Sequence, residues 1–183
     1  MSTPTLAREV HEFWFDTLAP RDWFTADAKL DRRIAAEFGA LIPTARAGAL
    51  DFWRGSPTGR LAEILVLDQF ARNVFRGHAE AFAGDPLALS LAKQAVETGA
   101  AGELPARERA FLYMPFMHSE SLADHDRALA LFSEPGLEKQ LGHEKRHRAV
   151  LERFGRYPQR NAALGRESTP EETAFLAESG AGF

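Results

Sequence analysis

The stretch RLAEILVLDQFARNVFR, residues 60–76, constrains the fold more than any other part of this chain. At 100° per residue, Leu61, Ile64, Leu65, Val66, Leu67, Phe70, Val74 and Phe75 point to nearly every side of a helix. A helix that is apolar all round is buried. Yet Asp68, Gln69, Arg72, Asn73 and Arg76 gather on one side of its second half. Buried polar groups need partners, water or a ligand. The stretch is therefore read as a central helix that carries either a polar network or the wall of a cleft.

The rest of the chain is also patterned as helix. Leu6, Val10, Phe13, Trp14 and Phe15 form an apolar face behind Pro4, and Trp23 and Phe24 anchor a short connection. Asp27 caps a second helix through about Gly48, with Pro43 expected to kink or end its regular part. Asp85-Pro86 reads as an N-cap followed by proline at the first helical position. A helix opened by Pro105 runs into FLYMPFM, 111–117, where seven apolar residues in a row mean burial on all sides and Pro115 predicts a kink before His118. Ser121 opens the next helix. Residues 137–154 form a strongly charged one ended by Gly155. Residues 156–166 read as irregular or one short turn. Thr169-Pro170-Glu171-Glu172 caps a last helix that reaches about Ser179. No strand-length alternation occurs. About eight helices with short connections make one all-α domain, 1–183, of stacked antiparallel helical hairpins.

The pieces FWF (13–15), WF (23–24), VLDQFARNVFRG (66–77), FLYMPFMHSE (111–120) and RHRAVLERFGRYPQRNAALGRESTPEE (146–172) together resemble an uncharacterised bacterial domain family of unknown function with a tetratricopeptide-like all-helical fold. The resemblance spans nearly the whole chain. It implies a fold and assigns no chemistry.

Chemistry must then come from the side chains. Asp68 and Arg72 stand at i, i+4 and can pair along one face, as can Gln69 and Asn73. His118, Ser119 and Glu120 emerge where the second buried helix ends. Arg146, His147 and Arg148 sit on the charged helix, followed by Arg153, Arg156, Arg160 and Asn161. A carboxylate, a histidine and several arginines are the ingredients of an anion site with an acid or base beside it. The candidate ligand-binding residues are Asp68, Gln69, Arg72, Asn73 and Arg76 on the central helix. Arg148, Arg153, Arg156, Arg160 and Asn161 join them from the charged helix and beyond. The candidate catalytic residues are His118, Glu120 and His147. One reading is a polar, arginine-lined groove that binds an anionic small molecule or an acidic peptide. The alternative is an enzyme acting on a phosphate- or carboxylate-bearing substrate, with His118 or His147 as acid/base and Glu120 or Asp68 as its partner. The same residues also suit a purely structural role, since Asp–Arg and Glu–Arg networks tie hairpins together and arginines cap helix C-termini.

Other features narrow the field. HEKRH, 143–147, fits the zinc-peptidase pattern H-E-x-x-H, but Lys145 and Arg146 put positive charge where a dication would sit, so no metal and no cofactor are expected. His11, His78 and His125 are isolated and read as surface or loop histidines. The aromatics Phe13, Trp14, Phe15, Trp23, Phe24 and Trp53 read as core. The absence of cysteine excludes disulfides, thiolate metal sites and a cysteine nucleophile. A net charge of −4 excludes a large nucleic-acid footprint. With no apolar run near membrane-spanning length and no secretory signal, a cytoplasmic bacterial-type protein is expected, of unspecified oligomeric state.

Overall fold

The computed structural model describes residues 3–178. Among these the chain forms nine helices and no strand. Helix α1, Thr5–Glu12, runs on through a wide π-turn, Phe13–Thr17. Then come α2, Ala28–Phe38, and α3, Leu41–Arg46. The central helix α4 is Pro57–Ile64, continued through a second π-turn, Leu65–Phe70, and a final turn, Ala71–Val74. It is followed by α5, Asp85–Glu97, α6, Ala106–His118, α7, Leu122–Phe132, α8, Glu138–Phe154, and α9, Pro170–Glu178. Four successive helices, α5 to α8, pack each on the next, while α1, α2, α5 and α6 all lie against α4. This is the all-α stack of hairpins that the apolar spacing implies.

Local chemistry sets the boundaries. Asp27 accepts from the Lys29 amide at 2.8 Å and starts α2. The second helix breaks at Gly39–Ala40 rather than at Pro43, which lies in the first turn of α3. A proline there loses nothing, because first-turn amides have no intrahelical partner. The central helix starts three residues before Arg60. Ser56 accepts from the Gly59 amide at 3.1 Å, and Pro57 follows the cap. Gly59 is required by close approach: a Cβ there would lie 2.0 Å from the Trp53 carbonyl oxygen. Gly155, at φ 70°, ends α8 in the left-handed conformation expected of it. Thr169 and Glu172 exchange side-chain-to-amide bonds of 2.8 and 3.1 Å, a reciprocal cap on α9. Ser179 lies outside the described residues.

The core collects around α4. Leu65, Val66, Leu67 and Phe70 are wholly buried. The Phe70 ring sits 5.2 to 6.0 Å from those of Phe38, Trp14 and Phe13. Of the aromatic set, Trp14 and Trp53 are buried, whereas Phe24 is largely exposed. No helix among the described residues is long and apolar enough to cross a membrane.

Candidate functional site

The π-turn of α4 sets an acidic group into this core. Asp68 is completely buried, and its carboxylate finds polar partners on both oxygens. The His118 Nδ1 lies 2.6 Å from its Oδ1, and an Arg72 nitrogen lies 3.0 Å from the same oxygen. The neighbouring Gln69 amide donates to Oδ2 and also reaches the Met114 sulfur at 3.4 Å. Burial alone would raise the Asp68 pKa. The charge of Arg72, that of His118 when its ring is protonated, and hydrogen bonds from His118 and Gln69 outweigh it and hold the carboxyl well below the usual carboxylate range. An ionised Asp68 can only accept, so the proton of this contact belongs to His118 Nδ1. His118 Nε2 has no hydrogen-bond partner among the described residues, and the side chain keeps 18% of its surface exposed.

Two arginines flank this pair. Arg72 grips Asp85 through both carboxylate oxygens at 2.8 and 2.9 Å and donates to the Asp68 carbonyl at 2.8 Å. Asp85 therefore turns its side chain toward the arginines and does not cap α5, contrary to the Asp-Pro pattern. Arg160, on the short turn Pro158–Arg160, donates to the His118 carbonyl at 2.7 Å and approaches Asp85 at 3.3 Å. Its guanidinium lies 4.8 Å from the ring centres of both Phe82 and Tyr157.

The other candidates distribute elsewhere. Asn73 and Arg76 both turn to Asp31 on α2, at 2.8 to 2.9 Å. Arg148 pairs with Asp126 and Glu152. Arg153 pairs with Glu171, and Arg156 holds Glu172 through both oxygens at 2.7 and 2.8 Å. Asn161 donates to Glu172 and Ser168 and accepts from Arg166. These contacts fasten α9 and the segment before it onto α8, so Arg153, Arg156 and Asn161 do not touch the Asp68–His118 pair. Glu120 accepts from the Tyr157 amide at 2.7 Å and from Arg166 at 2.8 and 3.0 Å, and thus anchors the segment that carries Arg160. His147 donates through Nδ1 to the His143 carbonyl at 2.9 Å and meets the Tyr157 ring edge-on. Burial, with the nearby His118 and His125 charges, pushes its pKa down to about 4 and keeps it neutral at pH 7.

HEKRH is taken apart by the fold. Arg146 bonds His143 Nδ1 at 2.9 Å, and Glu144 turns into the core. No group of three or more His, Cys, Asp or Glu arranged to hold a metal ion occurs among the described residues. Glu144 meets His125 at 2.6 Å, and both are fully buried. His125 is thus a core residue and not the surface or loop histidine its isolation implied. His11 is also drawn in, 3.0 Å from Glu108, while His78 stays exposed. A recess of about 410 Å³ between α1 and α2 is floored by Phe13 and Phe38 and rimmed by Glu9, Glu12, Arg33 and Glu37. Its charges are solvated, with Arg33 and Glu37 paired at 2.7 Å, so the Asp68–His118 cluster is the stronger candidate.

Residues 10–180 match the model of a family described as bacterial protein of unknown function, DUF924. This chain belongs to that family. A solved structure of a protein of unknown function from Agrobacterium tumefaciens is 40% identical, with a TM-score of 0.89, over 94% of this chain and 97% of that one. No curated protein matches. In this DUF924 member, sequence reasoning missed Asp85, His125, Tyr157 and Arg166 as parts of the network. Tyr157 and Arg166 lie in the arginine-rich segment that was singled out. Asp85 signalled only a cap and His125 only an isolated histidine, because their partners lie on other elements.

Proposed function

We propose that this protein is an acid–base enzyme in which His118, oriented by Asp68, moves a proton on a phosphate- or carboxylate-bearing substrate. The observation that carries this reading is the 2.6 Å contact between His118 Nδ1 and a fully buried, ionised Asp68. That contact fixes the tautomer and leaves a lone pair on Nε2 of the neutral ring, at a partly exposed edge. A base held by a third group in this way is the recurring arrangement of general-base catalysis. Arg76, Arg148, Arg153 and Arg156 already have carboxylate partners, so the unfilled chemistry is concentrated at His118. Arg160 bonds protein acceptors through two of its nitrogens, and its remaining N–H groups suit a substrate anion.

A second reading, simple binding of an anionic small molecule or acidic peptide, rests on that same Arg160. Chromogenic p-nitrophenyl phosphate and carboxylate esters, tested with the parent, His118→Gln and Arg160→Gln, separate the two. The enzyme reading expects His118→Gln to abolish turnover. Turnover that survives His118→Gln overturns it. No turnover in the parent, with phosphate raising its melting temperature and Arg160→Gln removing that rise, supports the binding reading instead.

A further inference from the structure

The backbone that carries His118 is held in an unusual way. The last carbonyls of a helix have no intrahelical amide to accept from. Here three consecutive ones end on side chains from outside the helix, two of them from some forty residues further along the chain. Tyr157 Oη donates to the Met117 carbonyl at 2.6 Å, Arg160 donates to that of His118 at 2.7 Å, and His125 Nε2 donates to that of Ser119 at 2.9 Å.

Proton positions follow from which groups can only accept. A carbonyl accepts, so His125 carries hydrogen on Nε2. Its Nδ1 lies 2.6 Å from Glu144 Oε1. Two lone pairs cannot meet at that distance, so one proton is shared there, on the ring or on the carboxyl. Tyr157 Oη, 3.2 Å from His125 Nε2, gives its own proton to Met117 and receives the edge of the His125 N–H. Wherever that proton sits, His125 joins Glu144 to Tyr157 and to the Ser119 carbonyl, and Tyr157 ends the chain on the carbonyl before His118. A buried polar chain of this kind stiffens what it binds.

We propose that Glu144, His125 and Tyr157 are positioning residues for His118. They fix the carbonyls on either side of it, and so set the angle at which its imidazole meets Asp68. None of the three touches substrate. The proposal takes its functional meaning from the acid–base reading of His118, but its test does not depend on turnover.

The test uses the full chain and side-chain NMR. The short contacts His118–Asp68 and His125–Glu144 each give a far-downfield ring N–H proton. The first is assigned by its loss in His118→Gln and the second by its loss in Glu144→Gln. The ring nitrogen shifts of His118 are recorded beside them. Tyr157→Phe removes one hydroxyl and keeps the ring. Both Tyr157→Phe and Glu144→Gln are expected to move the His118 proton and nitrogen signals and to speed exchange of that proton with solvent, while helix content stays at the parent level. His118 signals that coincide with the parent's in folded Tyr157→Phe overturn the proposal, whatever happens to the melting temperature. If Glu144→Gln does not fold, Tyr157→Phe alone decides. Turnover that survives His118→Gln removes the enzyme reading and leaves these signals interpretable.

Discussion

Arg72→Leu tests the network at its centre. In the parent, Arg72 holds Asp85 through two bonds and stands 3.0 Å from Asp68. The substitution leaves Asp68 with His118 and Gln69 alone, and leaves Asp85 to Arg160. Removing one partner of a buried ion pair costs about 3–5 kcal/mol. Arg72 keeps a fifth of its side chain exposed, and His118 can supply a charge by taking a proton, so the lower end applies, about 3 kcal/mol. For a chain of this length that corresponds to a fall of about 6–12 °C in Tm. The pH dependence has a definite sign. Against the effect of burial, Arg72 and His118 depress the Asp68 pKa in the folded state. Stability from such a group is present above its unfolded value, near 3.9, and is lost as pH falls through the lower folded one. The deficit of the variant is therefore full at pH 7 and shrinks below about pH 4. Thermal melts by circular dichroism at pH 8, 7, 4 and 3 measure it. A variant that melts with the parent at pH 7, or a deficit that grows on acidification, refutes the reasoning.

Three further outcomes are expected. Phe70→Ala, at the hub of the aromatic core, should cost about 3–5 kcal/mol in urea denaturation, and a curve matching the parent would remove α4 from the centre of the fold. His147, pushed down to about 4 by burial and neighbouring histidine charge, favours folding only while neutral. Its contribution is full above pH 6.5 and falls by about 3 kcal/mol as pH approaches 4, so His147→Gln should flatten stability over that interval, and an unchanged slope counts against it. Elemental analysis of protein purified without chelator should find no zinc, because Glu144 faces His125 and Arg146 occupies His143. One zinc per chain, lost in His143→Ala, would contradict that geometry.

Legibility in the sequence followed the reach of each interaction. The helices and most of their ends could be read because period, caps and prolines act within a few residues, as at Asp27, Gly155 and the Thr169–Glu172 pair. The meeting of Asp68, Arg72 and His118 could be read because each interrupts an otherwise apolar helix, and such interruptions must be reconciled in the core. The split of the polar residues of α4 could not. Asn73 and Arg76 go to Asp31, whose position on a solvated face of α2 gives no pattern. His125 stands in the polar run ADHDR, and the arrival of Glu144 from α8, beside the Ser119 carbonyl and Tyr157, makes its burial tolerable. Asp85 carried the local signature of a cap, but a bidentate arginine is the stronger partner.

The clamp on the last carbonyls of α6 also imposes an order in time. Asp68 precedes His118 by 50 residues, and His118 precedes Arg160 by 42. At about 5–20 residues per second of synthesis, Asp68 leaves the ribosome about 3–10 s before its histidine, which then waits about 2–8 s for its final restraint. Before His118 emerges, Asp68 has only Arg72 and Gln69, and Arg72 has Asp68 and Asp85. A nascent chain can therefore gather its first helices while the Asp68–His118 cluster is unfinished, and it completes that cluster only when the Tyr157–Arg160 segment emerges and bonds the carbonyls around His118.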